Sequence, residues 1–260
     1  MGGRSSSAGA AHGMAATPPQ RQPVRAAAPQ MTPSILPAQT AMQSPAAASQ
    51  PPTGTHFPDL TPAQQNRLLQ AQRQRQTQPR LLAIRDYTDP RPQANGYAMS
   101  QNANYALENG LPLTRAQQTM VNNLRGLMGP IGTQTTLYRA DHDNVLRQLG
   151  VSNYAGMTQA QLQNALVGQS WTSKGLTSTS HNTRQNPFWP GNYMGGGREV
   201  QMRIHTSKTA KVALVQRSQA EIVLDTGTHF RVTGVRLTNN WAYPRTGGRK
   251  RVVEIDVEAW

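Results

Sequence analysis

No cysteine occurs among the 260 residues. Disulfides, thiolate nucleophiles and cysteine zinc sites are therefore excluded, and a reducing compartment is permitted. Histidine offers no substitute: His12, His56, His142, His181, His205 and His229 are scattered without ligand spacing, so no metal site is expected. Long apolar runs are missing as well. Nothing approaches the roughly 18 residues of a membrane span, and the N-terminus lacks the apolar stretch of a secretory signal. Acidic residues are few and unevenly placed. None precedes Asp59, whereas Arg4, Arg21 and Arg25 do, and the net charge of +14 leaves +11 on the chain beyond them. Such a field attracts nucleic acid, acidic membranes or acidic proteins alike and says nothing about fold. Aromatic residues make up only 5%, and no strand interleaves them with basic residues. Arg249-Lys250-Arg251 alone does not make nucleic acid the expected partner. Neither a G-x-G-x-x-G nor a P-loop is present, and Gly195-Gly196-Gly197 reads as a linker rather than a phosphate cradle.

What is there falls into two parts. Residues 1–58 are built from Ala, Pro, Gln, Ser and Gly, a composition that buries too little apolar surface to offset its ordering entropy, and they read as a disordered leader. Met1-Gly2-Gly3-Arg4-Ser5-Ser6 fits the myristoylation pattern, with Gly2 as acceptor, although Gly and Ser are common enough here for a chance match. One myristoyl chain binds membranes with only about 10⁴ M⁻¹, so the three leader arginines would have to assist.

Residues 59–260 read as one domain. Thr61-Pro62-Ala63-Gln64 carries a cap, a proline at the first helical position and the glutamine of a capping box. The same Thr-x-x-Gln device recurs at Thr114 and Thr158. After Thr114, Met120, Val121, Leu124, Leu127 and Met128 form an apolar stripe that Gly129-Pro130 ends. A short helix is expected from Ser100 to Glu108, closed by Asn109-Gly110. From Thr135 onward the pattern changes to short β-branched runs, and Val200, Met202 and Ile204, like Val253, Ile255 and Val257, alternate with polar residues. Helices followed by strands make an α+β fold, with antiparallel pairing expected.

Three polar elements sit at strand edges. Leu137-Tyr138-Arg139 ends one strand, Ser178-Thr179-Ser180 ends another, and Gln219-Ala220-Glu221 leads into a third. Singly, each has an ordinary explanation: a surface arginine, a turn serine, a solvated glutamate. A strand ending in consecutive hydroxyls is less ordinary, because these side chains compete with backbone pairing and serve better to hold a polar ligand.

In this order the three elements resemble the Arg, Ser-Thr-Ser and Glu/Gln-x-Glu set of the mono-ADP-ribosyltransferases of the Arg-Ser-Glu class. The resemblance extends over residues 81–260 and includes Asp86-Tyr87-Thr88 and Thr228-His229-Phe230-Arg231-Val232. It implies a helical part followed by a split antiparallel β-sheet core, with NAD as co-substrate. Arg139 would take the diphosphate and ribose, Ser178 would position the glutamate, and Glu221 would bond the ribose and face the cationic transition state. Thr179, Ser180 and Phe188, or Trp189, would complete the NAD contacts. Gln219 stands where arginine-modifying members carry Glu, which implies amide recognition of the acceptor, weak transfer, or a silent fold that binds arginine-containing host peptides. The segment 211–218 reads as a short loop without the aromatic that commonly meets the target. With its leader, the chain also resembles type III effectors of plant-pathogenic bacteria, which implies secretion into a host cell, a host target protein, a place at the inner face of the host plasma membrane through Gly2, and a monomer.

Overall fold

The computed structural model describes residues 57–184, 186, 198–216, 220–242 and 250–260. All lie in the compact unit spanning residues 49–260. The expectations placed on Gly2, Phe188, Trp189, Gly195-Gly196-Gly197 and Gln219 fall outside the described residues.

Four helices come first: α1 (Pro62–Arg73), α2 (Gln78–Thr88), α3 (Met99–Glu108) and α4 (Arg115–Leu127). The capping boxes read from Thr61 and Thr114 both form, with each threonine hydroxyl accepting from the glutamine N–H three residues on. After the pair β1 (Gly129–Pro130) come β2 (Thr135–Asp141), α5 (Asn144–Gln148) and α6 (Gln159–Leu166), whose Thr158 completes a third box. Then follow β3 (Ser170–Thr172), β4 (Thr177–Ser180), β5 (Val200–Thr206), β6 (Lys211–Gln216), β7 (Glu221–Leu224), β8 (His229–Ala242) and β9 (Lys250–Ala259).

The strands form a sheet in the order β1-β6-β7-β4-β2-β5-β9-β8-β3. Between β4 and β2 the ladder thins to a single pair, Tyr138 opposite Ser180, so the sheet is all but split there. The expected antiparallel sheet forms, with one parallel pair in it: β5 and β9 run side by side in the same direction and set Val200, Met202 and Ile204 beside Val253, Ile255 and Val257. The alternating apolar pattern is the same for either direction and could not distinguish them.

Two apolar cores lie on the faces of this sheet. One gathers Leu137, Met202, Ile204, Ile255 and Phe230 with Leu146, Leu162 and Leu166 of α5 and α6; the other packs Tyr87, Ala103, Met120, Leu124 and Leu127 of α2 to α4 against Leu176, Ala213 and Val223. β6 and β7 lie between both cores, with Leu214, Ile222 and Leu224 facing one and Ala213 and Val223 the other. That is why they read as continuous apolar runs. The segment 211–218, expected as a loop, is therefore largely strand β6.

Helix side chains complete strand edges that have no neighbouring strand. The buried Gln72 amide donates to the Leu214 carbonyl and accepts from the Leu214 N–H, both at 2.9 Å. Asn104 does the same for Leu176 at 3.1 and 2.9 Å. Gln159 serves β8 at the Val235 carbonyl and the Leu237 N–H, both at 2.6 Å. Thr136 and Thr135 hydroxyls donate to the Phe57 and Pro58 carbonyls at 2.7 and 2.8 Å, which pins residues 57 and 58 against β2. No helix of the described residues is long and apolar enough to cross a membrane.

Candidate active site

The split between β2 and β4 creates the site. Past Tyr138 and Ser180 the two strands no longer pair, so the Ser178 carbonyl on that edge lacks a backbone donor from β2. Arg139 of β2 supplies one, with its Nη1 donating to the Ser178 carbonyl at 2.9 Å. Two further donors of its fork turn to Asp141, two residues along the same strand and so on the same face: Nε and Nη2 reach Oδ2 at 2.8 and 2.7 Å. Asp141 also accepts from the His142 N–H at 2.8 Å, which fixes the carboxylate.

Glu221 arrives from the other side. It opens β7, pairs opposite Ser180, and follows Ala220, a buried residue with φ 52°. A left-handed alanine costs of order 1 kcal/mol, and the turn is held by the His181 N–H donating to the Ala220 carbonyl at 3.1 Å. The hydroxyls of β4 then divide by the pleat. Ser178 faces the Glu221 carboxylate and the Tyr87 hydroxyl, the latter at 2.6 Å. Thr179 points the other way and donates to the Ile222 carbonyl at 2.7 Å, and Ser180 donates to the Asn182 carbonyl at 2.8 Å. Both latter hydroxyls are thus engaged by backbone.

Burial sets the electrostatics. It pushes the Glu221 carboxyl above the ordinary carboxylate range, against the opposing pull of the Ser178 hydroxyl and of Arg139. Burial also pushes the Tyr87 phenol up to about 12, so it stays protonated across the physiological range. For Arg139 burial works against the charge, yet Asp141 foremost, with Tyr87 and Glu108, outweighs it and raises its pKa further.

Arg139 and Asp141 form the divide between two cavities. One, of about 530 Å³, is lined by Tyr87, Asn104, Ser178, Asn186, Arg198 and Glu221 among others. The second, of about 430 Å³, has an apolar floor of Val145, Met202 and Phe230, with Trp171 stacked on Phe230 at 4.9 Å, and a polar rim with Lys174 and Glu108. Arg139, Ser178 and Glu221, far apart in the chain, thus share one cavity. Thr179 and Ser180 line it too. No group of three metal-ligating side chains occurs among the described residues. Sequence reasoning missed Asp141 and the contact of Tyr87 with Ser178. The first was legible as the same-face neighbour of Arg139, whereas the second depends on how α2 docks.

Comparison with solved structures places this architecture. Plx2a, an ADP-ribosyltransferase toxin from Paenibacillus larvae, aligns over 78% of this chain and 100% of its own at 13% identity, with a TM-score of 0.59. C3stau2 from S. aureus, solved with NAD, aligns over 79% and 98% at 19% identity and a TM-score of 0.54. An ADP-ribosyltransferase from Clostridium botulinum aligns over 79% and 98% at 18% identity and a TM-score of 0.51. At such identities the likeness speaks for the fold alone. No curated protein sequence matches the chain. The sequence profile described as ADP-ribosyltransferase exoenzyme, however, matches residues 64–257, from the first helix to the last strand. The chain belongs to the ADP-ribosyltransferase exoenzyme family.

Proposed function

We propose that the protein transfers ADP-ribose from NAD to a side chain of a host protein. The observation that supports this most is the meeting of Arg139, Ser178 and Glu221 at one cavity next to a second, apolar-floored one. NAD is a two-ended substrate, and a cation at the divide suits its central diphosphate, since Arg139 presents charge-assisted donors there. The nicotinamide ribose would enter the cavity of Ser178 and Glu221. In the reaction the N-glycosidic bond breaks, its electron pair leaves with nicotinamide, and the acceptor atom bonds the ribose carbon and loses a proton. The departing group leaves an oxocarbenium-like ribose, which an ionised Glu221 beside it stabilises. Gln219, two residues before Glu221, is the proposed contact for the acceptor side chain. The test is incubation with labelled NAD and host extract, comparing wild type with Glu221→Ala; equal protein labelling by both removes the proposal.

A second reading has its own observation. Asp141 occupies the Nε–Nη2 edge of the Arg139 fork, and the carboxylates of Glu108, Asp141, Asp89 and Glu221 outnumber the cations Arg139, Lys174 and Arg198 in the lining of the two cavities. A cleft of that charge suits a guanidinium, as in a catalytically silent module holding an arginine-containing host peptide. Calorimetry separates the two: a micromolar dissociation constant for NAD counts against the silent module.

We further propose that residues 1–58 act as a secretion leader of the type III effector kind, with myristoylated Gly2 bringing the protein to the inner face of the host plasma membrane. Retention of Gly2→Ala at that membrane removes the anchor proposal.

A further inference from the structure

We infer that Tyr87 is a positioning residue for this centre: its buried hydroxyl donates to Ser178 Oγ and thereby commits the serine's single proton to the Glu221 carboxylate. The consequence for turnover rests on the ADP-ribosyl transfer proposed above, but the hydrogen-bond relay itself does not.

Direction follows from donor and acceptor capacity. Tyr87 sits on α2 at 5% exposure, and its oxygen lies 2.6 Å from Ser178 Oγ, well within O–H···O range. A hydroxyl has one proton and two lone pairs, and an ionised carboxylate can only accept. If Ser178 gave its proton to Tyr87, the serine would meet Glu221 oxygen to oxygen with no proton between them, where burial already disfavours the carboxylate's charge. The chain of bonds therefore runs from Tyr87 to Ser178 to Glu221. Asn104, held on Leu176 by its two backbone hydrogen bonds, also hydrogen-bonds the Tyr87 side chain. Its amide donates there, which leaves the phenolic proton free for Ser178.

The relay answers a problem that the site creates. Glu221 must be charged to face a cationic transition state, yet burial favours its neutral form, and the Ser178 hydrogen bond is one of the forces drawing it back. A serine hydroxyl without the tyrosine's donation is a rotor with several staggered choices. With it, Ser178 has one favourable direction. The helical lobe thus acts on the Glu221 carboxylate by way of the serine: α2 holds Tyr87, Tyr87 orients Ser178, and Ser178 helps to keep Glu221 ionised.

Tyr87→Phe keeps the ring and removes only the donor. The chain has five glutamates, so selective ¹³C labelling resolves the Glu221 carboxyl for a titration that needs no turnover. The Glu221 titration moves to higher pH in Tyr87→Phe, and in Ser178→Ala it moves at least as far. An unchanged titration in Tyr87→Phe overturns the inference. In NAD cleavage, Tyr87→Phe lowers the rate about threefold to tenfold more at pH 5.5 than at pH 8, the worth of one neutral hydrogen bond. Adding it to Ser178→Ala costs nothing further, whereas additive losses overturn the relay. Wild-type protein that leaves NAD intact refutes the transferase proposal, while the carboxyl titration still decides for or against Tyr87.

Discussion

Two glutamines, both 1% exposed, provide a matched test of how amides hold this fold. Gln72 of α1 closes the edge of β6 through both backbone groups of Leu214, whereas the Gln201 amide on β5 has no hydrogen-bond partner for either its oxygen or its nitrogen among the described residues. Methionine is close to glutamine in length and shape, so Gln→Met at each site removes the amide with little change in packing. At position 72 it leaves a buried N–H and a buried carbonyl unpaired. Each costs about 1–3 kcal/mol, and after allowing for relief of the amide's own burial the net loss is about 2–4 kcal/mol. At position 201 only an unsatisfied amide is removed, and stability rises by about 1–2 kcal/mol. With about 2–4 °C per kcal/mol for a domain of this size, the midpoint falls by about 4–16 °C for Gln72→Met and rises by about 2–8 °C for Gln201→Met. Because the substitution is the same, effects on the unfolded chain largely cancel. Thermal unfolding followed by circular dichroism measures both; equal shifts of the same sign refute the reasoning. Leu214 also stands beside the register shift that precedes the turn into Glu221. Gln72→Met is therefore expected to lower NAD cleavage per folded molecule as well.

The remaining predictions concern the cleft. Glu221→Gln lowers NAD cleavage by about 10²–10³-fold, with NAD affinity in calorimetry little changed; a loss of affinity as large as the loss of turnover would make Glu221 a binding residue instead. The same variant melts higher than wild type at neutral pH. The folded-state pKa of Glu221 lies above its unfolded value, so the folded state penalises the charge. That penalty is absent below the unfolded pKa and sets in as pH rises through the folded pKa, so the advantage of Gln must vanish in acid, and a pH-independent advantage argues against it. Asp141→Asn keeps an acceptor for the His142 N–H while removing the negative charge beside Arg139, and separates the two functional readings. NAD binds about fivefold to tenfold tighter, by the worth of about 1 kcal/mol; an unchanged NAD affinity together with weaker binding of an arginine peptide favours the silent module. Arg139→Lys loses the fork that spans Ser178 and Asp141, and NAD affinity falls more than about tenfold by calorimetry; unchanged affinity would move the diphosphate elsewhere.

Much of this was legible in the chain. The Thr-x-x-Gln signatures at Thr61, Thr114 and Thr158 are local, because a threonine and a glutamine three residues apart satisfy each other's helix-start groups without help from the rest of the molecule. The apolar stripe from Met120 to Met128 and the alternation in β5 and β9 likewise record which face meets the core. The order Arg139, Ser178, Glu221 carried the family resemblance. α5 was not read as a helix, since it spans barely more than one turn, and α2, whose apolar stripe is shallow, entered only as the helical part around Asp86-Tyr87-Thr88 that the resemblance implied. Lys211–Gln216 passed for a loop because its strand character depends on being covered on both faces.

Residue types and their order thus determined the class of chemistry, because periodicity and capping act within a few positions and motifs keep their sequence. Where the charges stand was decided only by tertiary structure. The split of the sheet after Tyr138 and Ser180 exposes the Ser178 carbonyl to Arg139, and the docking of α2 brings Tyr87 to the serine from 91 residues away. Burial then shifts the Glu221 carboxyl. Desolvation and hydrogen-bond direction depend on what surrounds a group in three dimensions, and no spacing along the chain encodes them.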